Sequence, residues 1–452
     1  MKHYKLFAIV LTLIALYGSV NAQPPNIIVI LADDLGYGDL GCYGHPTIKT
    51  PNLDRMAAEG IRFTQFYVGA SICTPSRAAF LTGRLAIRSG MAGSDSSGNA
   101  LYPKSTGGLP ASEITVAEAL KTKNYTTALV GKWHLGHLPQ FLPINHGFDL
   151  FYGLPYSNDM VAPAYKNAPP LPFMENGKII ESNPDQRLLT KRYTAKAIDF
   201  IKANKSKPFF LYYANNFPHV PLHASETFLN KSDRGLFGDA VEELDWSVGE
   251  ILKNLKLLGL DKNTLVIFTS DNGPWLRERE NGGSAGMLFE GKGSTYEGGF
   301  RVPAIARWSG KIKPNQTSSA IATTMDLYPT FLKLAGVAFP GDRVIDGKDL
   351  YPLLMGQTGT QDEVYYYNRD KLYAIRKGSY KAHFITKASY SKELPEIHNI
   401  PLLFDIEHDP SEKFEIGKAH PEVISRMIKI KDKHKAGIVP AFSQLDLGYR
   451  EK

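Results

Sequence analysis

The chain has 452 residues, 43% of them hydrophobic and 21% charged, which is an ordinary balance for a globular protein. This composition excludes a disordered, collagen-like or multi-span membrane protein. Because Cys42 and Cys73 are the only two cysteines, we expect no disulfide framework to stabilise the fold.

The N-terminal segment has the pattern of a secretory signal. Lys2 and Lys5 precede an apolar run at 6–16, and small residues follow at 19–22. The run is shorter than the roughly 20 apolar residues of a spanning helix. We therefore expect residues 1–22 to be a cleaved signal peptide, and the mature protein to be exported to a bacterial periplasm or secreted, with no membrane span. Cleavage lowers the net charge to about +5, which is too little to predict nucleic-acid binding but suits an anionic substrate.

Four short, almost continuously apolar runs predict strands that are buried on both faces, at residues 26–31, 126–130, 208–214 and 265–270. Helical patterns lie between these runs, at residues 115–122, 190–203 and 238–258. Strands that alternate with helices predict a mostly parallel α/β sheet with helices on both of its faces.

The last quarter of the chain differs in composition and in its hydropathy pattern. Gly, Pro and Asp turns follow residue 335, and tyrosine-rich alternation predicts a small antiparallel sheet at 364–367, 372–376 and 380–385. A final helix is expected at 421–433. We therefore expect an N-terminal α/β domain at residues 23–345 and a smaller C-terminal domain of antiparallel sheet plus helix at residues 346–452.

Polar side chains follow each of the four apolar runs. Ligands of open α/β sheets bind outside the carboxyl ends of the strands, so these positions are candidates for a functional crevice. Two of the runs end in residues that offer oxygen ligands and three negative charges: Asp33, Asp34, Asp271 and Asn272. Such a set suits Ca²⁺ or Mg²⁺ better than zinc. Either pair alone would more often be a turn or a helix cap, whereas two pairs at strand ends favour a metal site.

The remaining strand-end residues are ambiguous by themselves. Lys132 and His134 follow the second run and His219 follows the third, and by itself each would more often be an ordinary exposed or hydrogen-bonded side chain. A glycine-rich stretch at 286–299 contains Lys292 but lacks the spacing of a nucleotide-binding P-loop, so we reject a nucleotide site there. A loop that places Lys292 over an anion stays open.

The segment at 71–84 contains Cys73, Pro75, Ser76 and Arg77, followed by Thr-Gly-Arg at 82–84. It resembles the C-x-P-S-R and T-G-R signature of the type I sulfatases. The motif places Cys73 just before a helix that Pro75 starts, where free backbone N–H groups favour an anion. Cys42, by contrast, is expected to be a buried free thiol.

The resemblance covers nearly the whole mature chain and is greatest to the arylsulfatase A subfamily. Matching segments lie at 41–46, 50–54, 131–136, 155–157, 208–214, 291–299 and 381–384. The resemblance implies an alkaline-phosphatase-like fold and an enzyme that hydrolyses sulfate monoesters to alcohol and inorganic sulfate. It also implies that a formylglycine-generating or sulfatase-maturating enzyme oxidises Cys73 to formylglycine (3-oxoalanine), whose hydrate is the nucleophile.

The same resemblance implies the roles of the crevice residues. One Ca²⁺ ion is held by Asp33, Asp34, Asp271, Asn272 and the modified residue 73. The diol and the sulfate are surrounded by a second set, of which all except Ser157 are implied to be catalytic: Arg77, Lys132, His134, Ser157, His219 and Lys292. Substrate contacts are implied for Lys132, Ser157, His219 and Lys292.

Two alternatives are weighed against the sulfatase hypothesis. A phosphoester or phosphonate ester hydrolase of the same superfamily would need a two-metal ligand set, and only one set is recognisable. A non-catalytic protein that binds sulfated glycans should have lost residues such as Cys73 or His134, and it has not. The substrate is expected to be a sulfated polysaccharide or oligosaccharide, with aryl sulfates as a further possibility. The segments at 91–107, 159–184 and 388–401, which should line the outer pocket, match no pattern that identifies the sugar. The sequence does not predict an oligomeric state.

Overall fold

A computed structural model describes residues 23–95, 97–163, 165, 167–359 and 361–448. The predicted signal peptide at 1–22 lies outside the described residues. The strands, in chain order, are β1 Asn26–Ala32, β2 Ile61–Tyr67, β3 Thr126–Lys132, β4 Leu150–Leu154, β5 Pro172–Glu175, β6 Lys178–Ser182, β7 Phe209–Ala214, β8 Thr264–Ser270, β9 Arg301–Arg307, β10 Gln316–Ser318, β11 Ala322–Thr323, β12 Glu363–Asn368, β13 Lys371–Lys377, β14 Tyr380–Thr386 and β15 Glu396–Asp405.

The α-helices are fewer and most of them lie between strands of the large sheet. They are α1 Pro51–Ala58, α2 Cys73–Thr82, α3 Val116–Lys121, α4 Leu189–Ala203, α5 Leu236–Leu257, α6 Glu297–Phe300, α7 Leu327–Ala335, α8 Tyr351–Leu354 and α9 Pro421–Ala436. Short 3₁₀ turns occupy Gly41–Tyr43, Pro139–Phe141, Pro143–Asn145, Gln186–Leu188, Asp261–Asn263, Leu276–Asn281, Thr324–Asp326, Gly417–Ala419 and Gln444–Asp446.

The four strands predicted from apolar runs lie side by side at the centre of the large sheet, in the order β8-β1-β7-β3, and all four are parallel. Within β1, Ile28 pairs with Leu211 on one side and with Val266 on the other. The prediction of a mostly parallel central sheet with helices is therefore confirmed.

The flanks of this sheet are mixed rather than purely parallel. Its full order is β10-β2-β9-β8-β1-β7-β3-β4-β5-β6, with β11 beside β2. Strand β9 runs antiparallel to both of its neighbours, β2 and β8, and the β4-β5-β6 edge is antiparallel as well.

Two hydrophobic layers cover the faces of the sheet, as the alternation of side chains along each strand requires. Ile27, Val29 and Leu31 of β1 pack into the layer that contains α2, α3 and α7. Ile28 and Ile30 pack into the opposite layer, which contains α1, α4 and α5. Both layers are buried, so the polar residues at the strand ends are held on a rigid support.

The small sheet follows in the chain, with the order β12-β13-β14-β15 and antiparallel pairing throughout. Helix α9 packs against it, and Met427 of that helix is fully buried. This confirms the expected antiparallel sheet plus helix; the division at residue 346 stays a prediction. The chain then returns to the large domain, where the Ala441 N–H donates to the Ile87 carbonyl at 2.9 Å.

A buried network of charges connects the two sheets. Glu297 of α6 accepts hydrogen bonds from Tyr67 and Tyr366, both at 2.7 Å. Lys381 of β14 lies between Glu297 and Glu412, with Nζ–O distances of 3.1 and 3.0 Å. Burial alone would raise the pKa of Glu297, but Lys381 and Arg376 lower it to about 2.

No helix among the described residues combines the length and the apolar character that crossing a bilayer requires.

Candidate active site

The polar residues at the strand ends converge at the carboxyl edge of the four central strands. Asp33 and Asp34 follow β1, Asp271 and Asn272 follow β8, and Lys132 is the last residue of β3. All five are buried. Because the strands are parallel and adjacent, residues distant in the chain become neighbours here.

Cys73 is the first residue of α2 and is buried beneath this edge. The helix therefore begins at the cysteine itself, not at Pro75 as expected. Pro75 is tolerated at the third position because the first-turn N–H groups of a helix have no partner within it. Burial, partly offset by Lys132 and Lys292, raises the pKa of the Cys73 thiol to about 11. The unmodified side chain is thus a neutral thiol and a poor nucleophile near neutral pH.

Asp33 is held by two cations from different elements. Lys132 Nζ lies 2.5 Å from Asp33 Oδ2, and Arg77 of α2 lies 3.6 Å from the same oxygen. Burial alone would raise the pKa of Asp33, but Lys132, His219 and Arg77 hold it far below its ordinary value. Asp33 is therefore a carboxylate at any physiological pH.

Arg77 also pairs with Asp271, at 2.8 Å, and donates to the Lys132 carbonyl at 2.8 Å. Burial, and next the charge of Asp33, raise the pKa of Asp271 to about 7. The Arg77 guanidinium thus links α2 to the ends of β3 and β8, and fixes Cys73, one helical turn away, relative to the carboxylates.

Asp34 has a different set of partners from Asp33. Lys292 Nζ lies 2.8 Å and His219 Nε2 lies 3.5 Å from Asp34 Oδ2. Burial alone would lower the pKa of Lys292, but Asp34 raises it well above its ordinary value, so the amine is cationic. Asn272 Nδ2 donates to the other oxygen, Asp34 Oδ1, at 2.7 Å.

Two oxygens of this cluster accept no hydrogen bond from the described residues although both are buried: Asp33 Oδ1 and Asn272 Oδ1. Buried polar atoms are normally satisfied, so these two indicate a missing partner that is an electron-pair acceptor. Ligand atoms of Asp33, Asp34 and His219 also lie within 4.8 Å of one another. A donor set dominated by carboxylate and amide oxygens fits a hard divalent cation such as Ca²⁺.

His134 has an arrangement typical of a proton acceptor. Its Nε2 lies 2.9 Å from the Leu101 carbonyl, which can only accept, so we assign the proton to Nε2. Nδ1 is then unprotonated, and it is buried with no described partner. Burial, reinforced by Lys132, lowers the pKa of His134 well below its ordinary value.

His219 and Ser157 have more defined contacts. His219 Nδ1 lies 2.5 Å from the Val220 carbonyl, so that nitrogen carries a proton and Nε2 can donate only from the doubly protonated ring. The Ser157 hydroxyl accepts from Lys132 Nζ at 3.0 Å. Every site residue named from the sequence therefore lies in one buried cluster.

Two further polar or thiol residues, Asn216 and Cys42, lie outside this cluster. Asn216, which also follows β7, accepts from Tyr193 at 2.8 Å and belongs to the packing of α4. Cys42 lies in the 3₁₀ turn Gly41–Tyr43 and is half-buried rather than buried. Burial and the adjacent Asp54 raise its pKa to about 12.

Aromatic side chains that we did not single out from the sequence border the cluster. Trp275 lies 4.6 Å from Lys292 Nζ and 5.5 Å from the His219 ring. Tyr390 packs on Trp275 at 5.6 Å. Trp275 comes three residues after Asn272, so the strand-end rule could have found it. Tyr390 comes from the segment at 388–401 and has no local signal.

Comparison with known proteins gives a consistent result. The family model "Sulfatase" matches residues 25–337, and "C-terminal region of aryl-sulfatase" matches residues 359–451. The chain is 43% identical over 463 residues to N-acetylgalactosamine-6-sulfatase of Canis lupus familiaris, covering 94% of this chain and 88% of that protein. It is 43% identical over 455 residues to human arylsulfatase A, with coverages of 92% and 88%. The PsFucS1 sulfatase structure from Pseudoalteromonas sp. aligns with a TM-score of 0.82 and 30% identity, over 95% of this chain and 92% of that one.

Proposed function

We propose that this chain, which belongs to the sulfatase family and is a sulfuric ester hydrolase, removes sulfate from sulfated carbohydrates. One observation carries the assignment of the site: Cys73 of the C-x-P-S-R motif is buried among the carboxylates and cations that end β1, β3 and β8. The carbohydrate assignment follows the relative that is named for a sulfated amino sugar.

The donor atoms of the site fit one divalent cation, Ca²⁺ in our proposal, held by Asp33, Asp34, Asp271, Asn272 and residue 73. Formylglycine at position 73 would supply an oxygen nucleophile in its hydrated form, and the cation would supply charge stabilisation. Cys73, Pro75 and Arg77 form the C-x-P-x-R sequence that we expect a maturation enzyme to read. The predicted signal segment implies that the protein is exported.

The chain's own cations would bind the anionic sulfate. Lys132 and Lys292 both act electrostatically on residue 73, and each is paired with a different carboxylate. Both are buried, so they act in a low-dielectric setting where charge stabilisation is strong. Ser157 would orient Lys132 through its 3.0 Å hydrogen bond.

Proton transfer would be divided between two histidines. His134 is neutral with an unprotonated Nδ1, which suits the role of accepting a proton from residue 73. His219 would protonate the departing alcohol from Nε2, which lies 3.5 Å from Asp34 Oδ2. Lys292 is an alternative donor. Arg77 would hold residue 73 in place by fixing α2.

The test is a panel of substrates, offered to protein that has been co-produced with a maturation enzyme. The panel contains N-acetylgalactosamine 6-sulfate, galactose 3-sulfate, an aryl sulfate, a phosphate monoester and a phosphonate ester. We expect sulfate release from at least one sugar, lost in Cys73→Ala and retained in the matched control Cys42→Ala. Cleavage of aryl sulfates alone would overturn the carbohydrate assignment, and cleavage of phosphorus esters alone would overturn the assigned chemistry.

A further inference from the structure

A cleft of about 550 Å³ opens beside the cluster described above, between the large domain and the small sheet. Its walls include Asn99 and Gly293 from the large domain and Arg369, Lys371 and Tyr390 from the small one. This volume lies within the range of roughly 300–1,000 Å³ that small-molecule sites occupy.

The cleft is continuous with the candidate active site. Gly293 directly follows Lys292, and its N–H donates to the carbonyl of Ser71, two residues before Cys73, at 2.9 Å. Tyr390, which lines the cleft, packs against Trp275 above Lys292. A substrate whose sulfate reached residue 73 would therefore extend its remaining part into this space.

Two cations in the cleft, Arg369 and Lys371, approach the same carboxylate, that of Asp95. Lys371 Nζ forms an ion pair with Asp95, and Arg369 approaches the same carboxylate at 3.9 Å. The Arg369 guanidinium is held there by Asn99, to whose Oδ1 it donates at 2.8 Å. Arg369 lies in the two-residue turn between β12 and β13 and has a positive φ of 56°, which such hairpin turns require.

An anionic group of a substrate could readily take the place of the Asp95 carboxylate. The Asp95 side chain is 69% exposed and that of Lys371 is 48% exposed, and exposed ion pairs contribute little to stability. Lys387 adds a third positive charge to the same cleft. Among the described residues that line the cleft, three are cations and one is a carboxylate, so this lining is net positive.

We infer that this cleft is a second anion subsite, in which Arg369 and Lys371 bind an additional negative group on the sugar next to the one that loses its sulfate. The inference deepens the proposed function and rests on it. The additional group is a second sulfate or a uronic acid carboxylate, since both present the oxygen geometry that arginine recognises. The substrate class is thus a polyanionic glycan rather than an isolated monosulfated sugar.

The experiment compares kcat/KM for a disaccharide with a second sulfate, a disaccharide with a uronate, and a monosulfated monosaccharide. In the variant that combines Arg369→Met with Lys371→Met, we expect the ratio of disaccharide to monosaccharide kcat/KM to fall by about tenfold or more. Asp95→Asn removes the competing carboxylate, so the ratio should rise. The matched control is Lys253→Met, because Lys253 is an exposed lysine that pairs with Glu250 on α5.

The inference is overturned if the ratio of disaccharide to monosaccharide kcat/KM is unchanged both in the Arg369→Met, Lys371→Met variant and in Asp95→Asn. It is also overturned if the control Lys253→Met lowers this ratio as much as the double substitution does. The disaccharide on which the ratio falls most identifies the anion, sulfate or carboxylate. If the wild type releases sulfate from no sugar, the proposed function fails. The subsite is then tested separately by calorimetry, which measures how tightly the disulfated disaccharide binds to Cys73→Ala and to Cys73→Ala that also carries Arg369→Met and Lys371→Met. Equal affinities overturn the subsite. Weaker binding to the variant that lacks Arg369 and Lys371 supports it.

Discussion

Lys381 Nζ lies 3.1 Å from Glu297 Oε1 in the fully buried space between the two sheets. Glu297 follows Lys292 by five residues, and its backbone N–H donates to Glu412 at 2.7 Å. The small domain therefore fixes the loop that carries Lys292, and the antiparallel sheet contributes to the candidate active site without reaching the reacting atoms.

The first prediction concerns this ion pair. Lys381→Met leaves Glu297 and Glu412 buried without their shared cation, which typically costs about 3–5 kcal/mol. Denaturant unfolding should report that loss in the free energy of unfolding. Lys418→Met, at an exposed lysine in the same domain, is the control and should change stability by less than about 0.5 kcal/mol. A loss below about 1 kcal/mol for Lys381→Met would show that water reaches the network.

The second prediction concerns the mass of the Cys73 peptide. Oxidation of the thiol to an aldehyde should make the tryptic peptide about 18 Da lighter than the unmodified one, with hydration restoring about the same mass. The Cys42 peptide from the same digest is the internal control and should keep its thiol mass. Specific activity should rise in proportion to the modified fraction. Full activity in protein whose Cys73 peptide is entirely unmodified would contradict the role of formylglycine.

The third prediction concerns the cation. A ligand that binds only the folded state at about 100 times its Kd stabilises it by about 2.7 kcal/mol. We expect added Ca²⁺ to raise the Tm of the wild type, and the increment to be lost in Asn272→Ala, which removes an orphaned oxygen. Because the increment is measured within each variant, any intrinsic destabilisation by the substitution cancels.

The control for this measurement is Asp185→Asn, which removes an exposed carboxylate on the same domain. It should keep the full increment. If Ca²⁺ raised the Tm of Asn272→Ala as much as that of the wild type, the ion would bind elsewhere. If Mg²⁺ raised the Tm of the wild type more than Ca²⁺ does, Mg²⁺ would be the bound cation.

The sequence was sufficient to predict the centre of the large sheet. Strands that are buried on both faces must be apolar at nearly every position, so β1, β3, β7 and β8 are visible as runs. Their parallel order then determines which polar residues meet, so the strand-end rule predicts most of the buried polar cluster from the sequence.

Strand β9 was not predicted although it is buried along its whole length. It begins and ends with arginine and contains Pro303, all of which argue against a central strand. Arg307 is tolerated because Glu59 and Asp261 reach it at 2.6 and 2.7 Å. Such compensation comes from segments that are distant in sequence, so no local pattern reveals it.

The outer part of the site was unpredictable for a related reason. Tyr390 and Arg369 reach the crevice from turns of the small domain, where periodicity carries no information about side-chain direction. Their positions depend on how the two sheets dock. Docking depends in turn on the buried network of Glu297, Lys381 and Glu412, whose charges look like ordinary surface residues in the sequence.

The fourth prediction concerns His146, which is fully buried against Trp133 and has no described hydrogen-bond partner at either ring nitrogen. Burial lowers its pKa to about 4. In the unfolded chain the ring titrates near 6.5. The contribution of the neutral, buried His146 ring to the free energy of unfolding is therefore fully present above pH 6.5. It is lost as the pH falls toward 4, since only the unfolded state takes up the proton over that range.

A gap of this size corresponds to about 3 kcal/mol in the free energy of unfolding. His146→Phe removes the titration and leaves no unsatisfied nitrogen, so its stability relative to the wild type should rise by about that amount between pH 6.5 and pH 4. Denaturant unfolding at several pH values measures the difference, in which the other titrating groups cancel. His408→Phe is the control, at a ring that is 86% exposed. A constant difference between His146→Phe and the wild type across this range would mean that the buried ring accepts a proton within the fold, and hence that water or a polar partner reaches it.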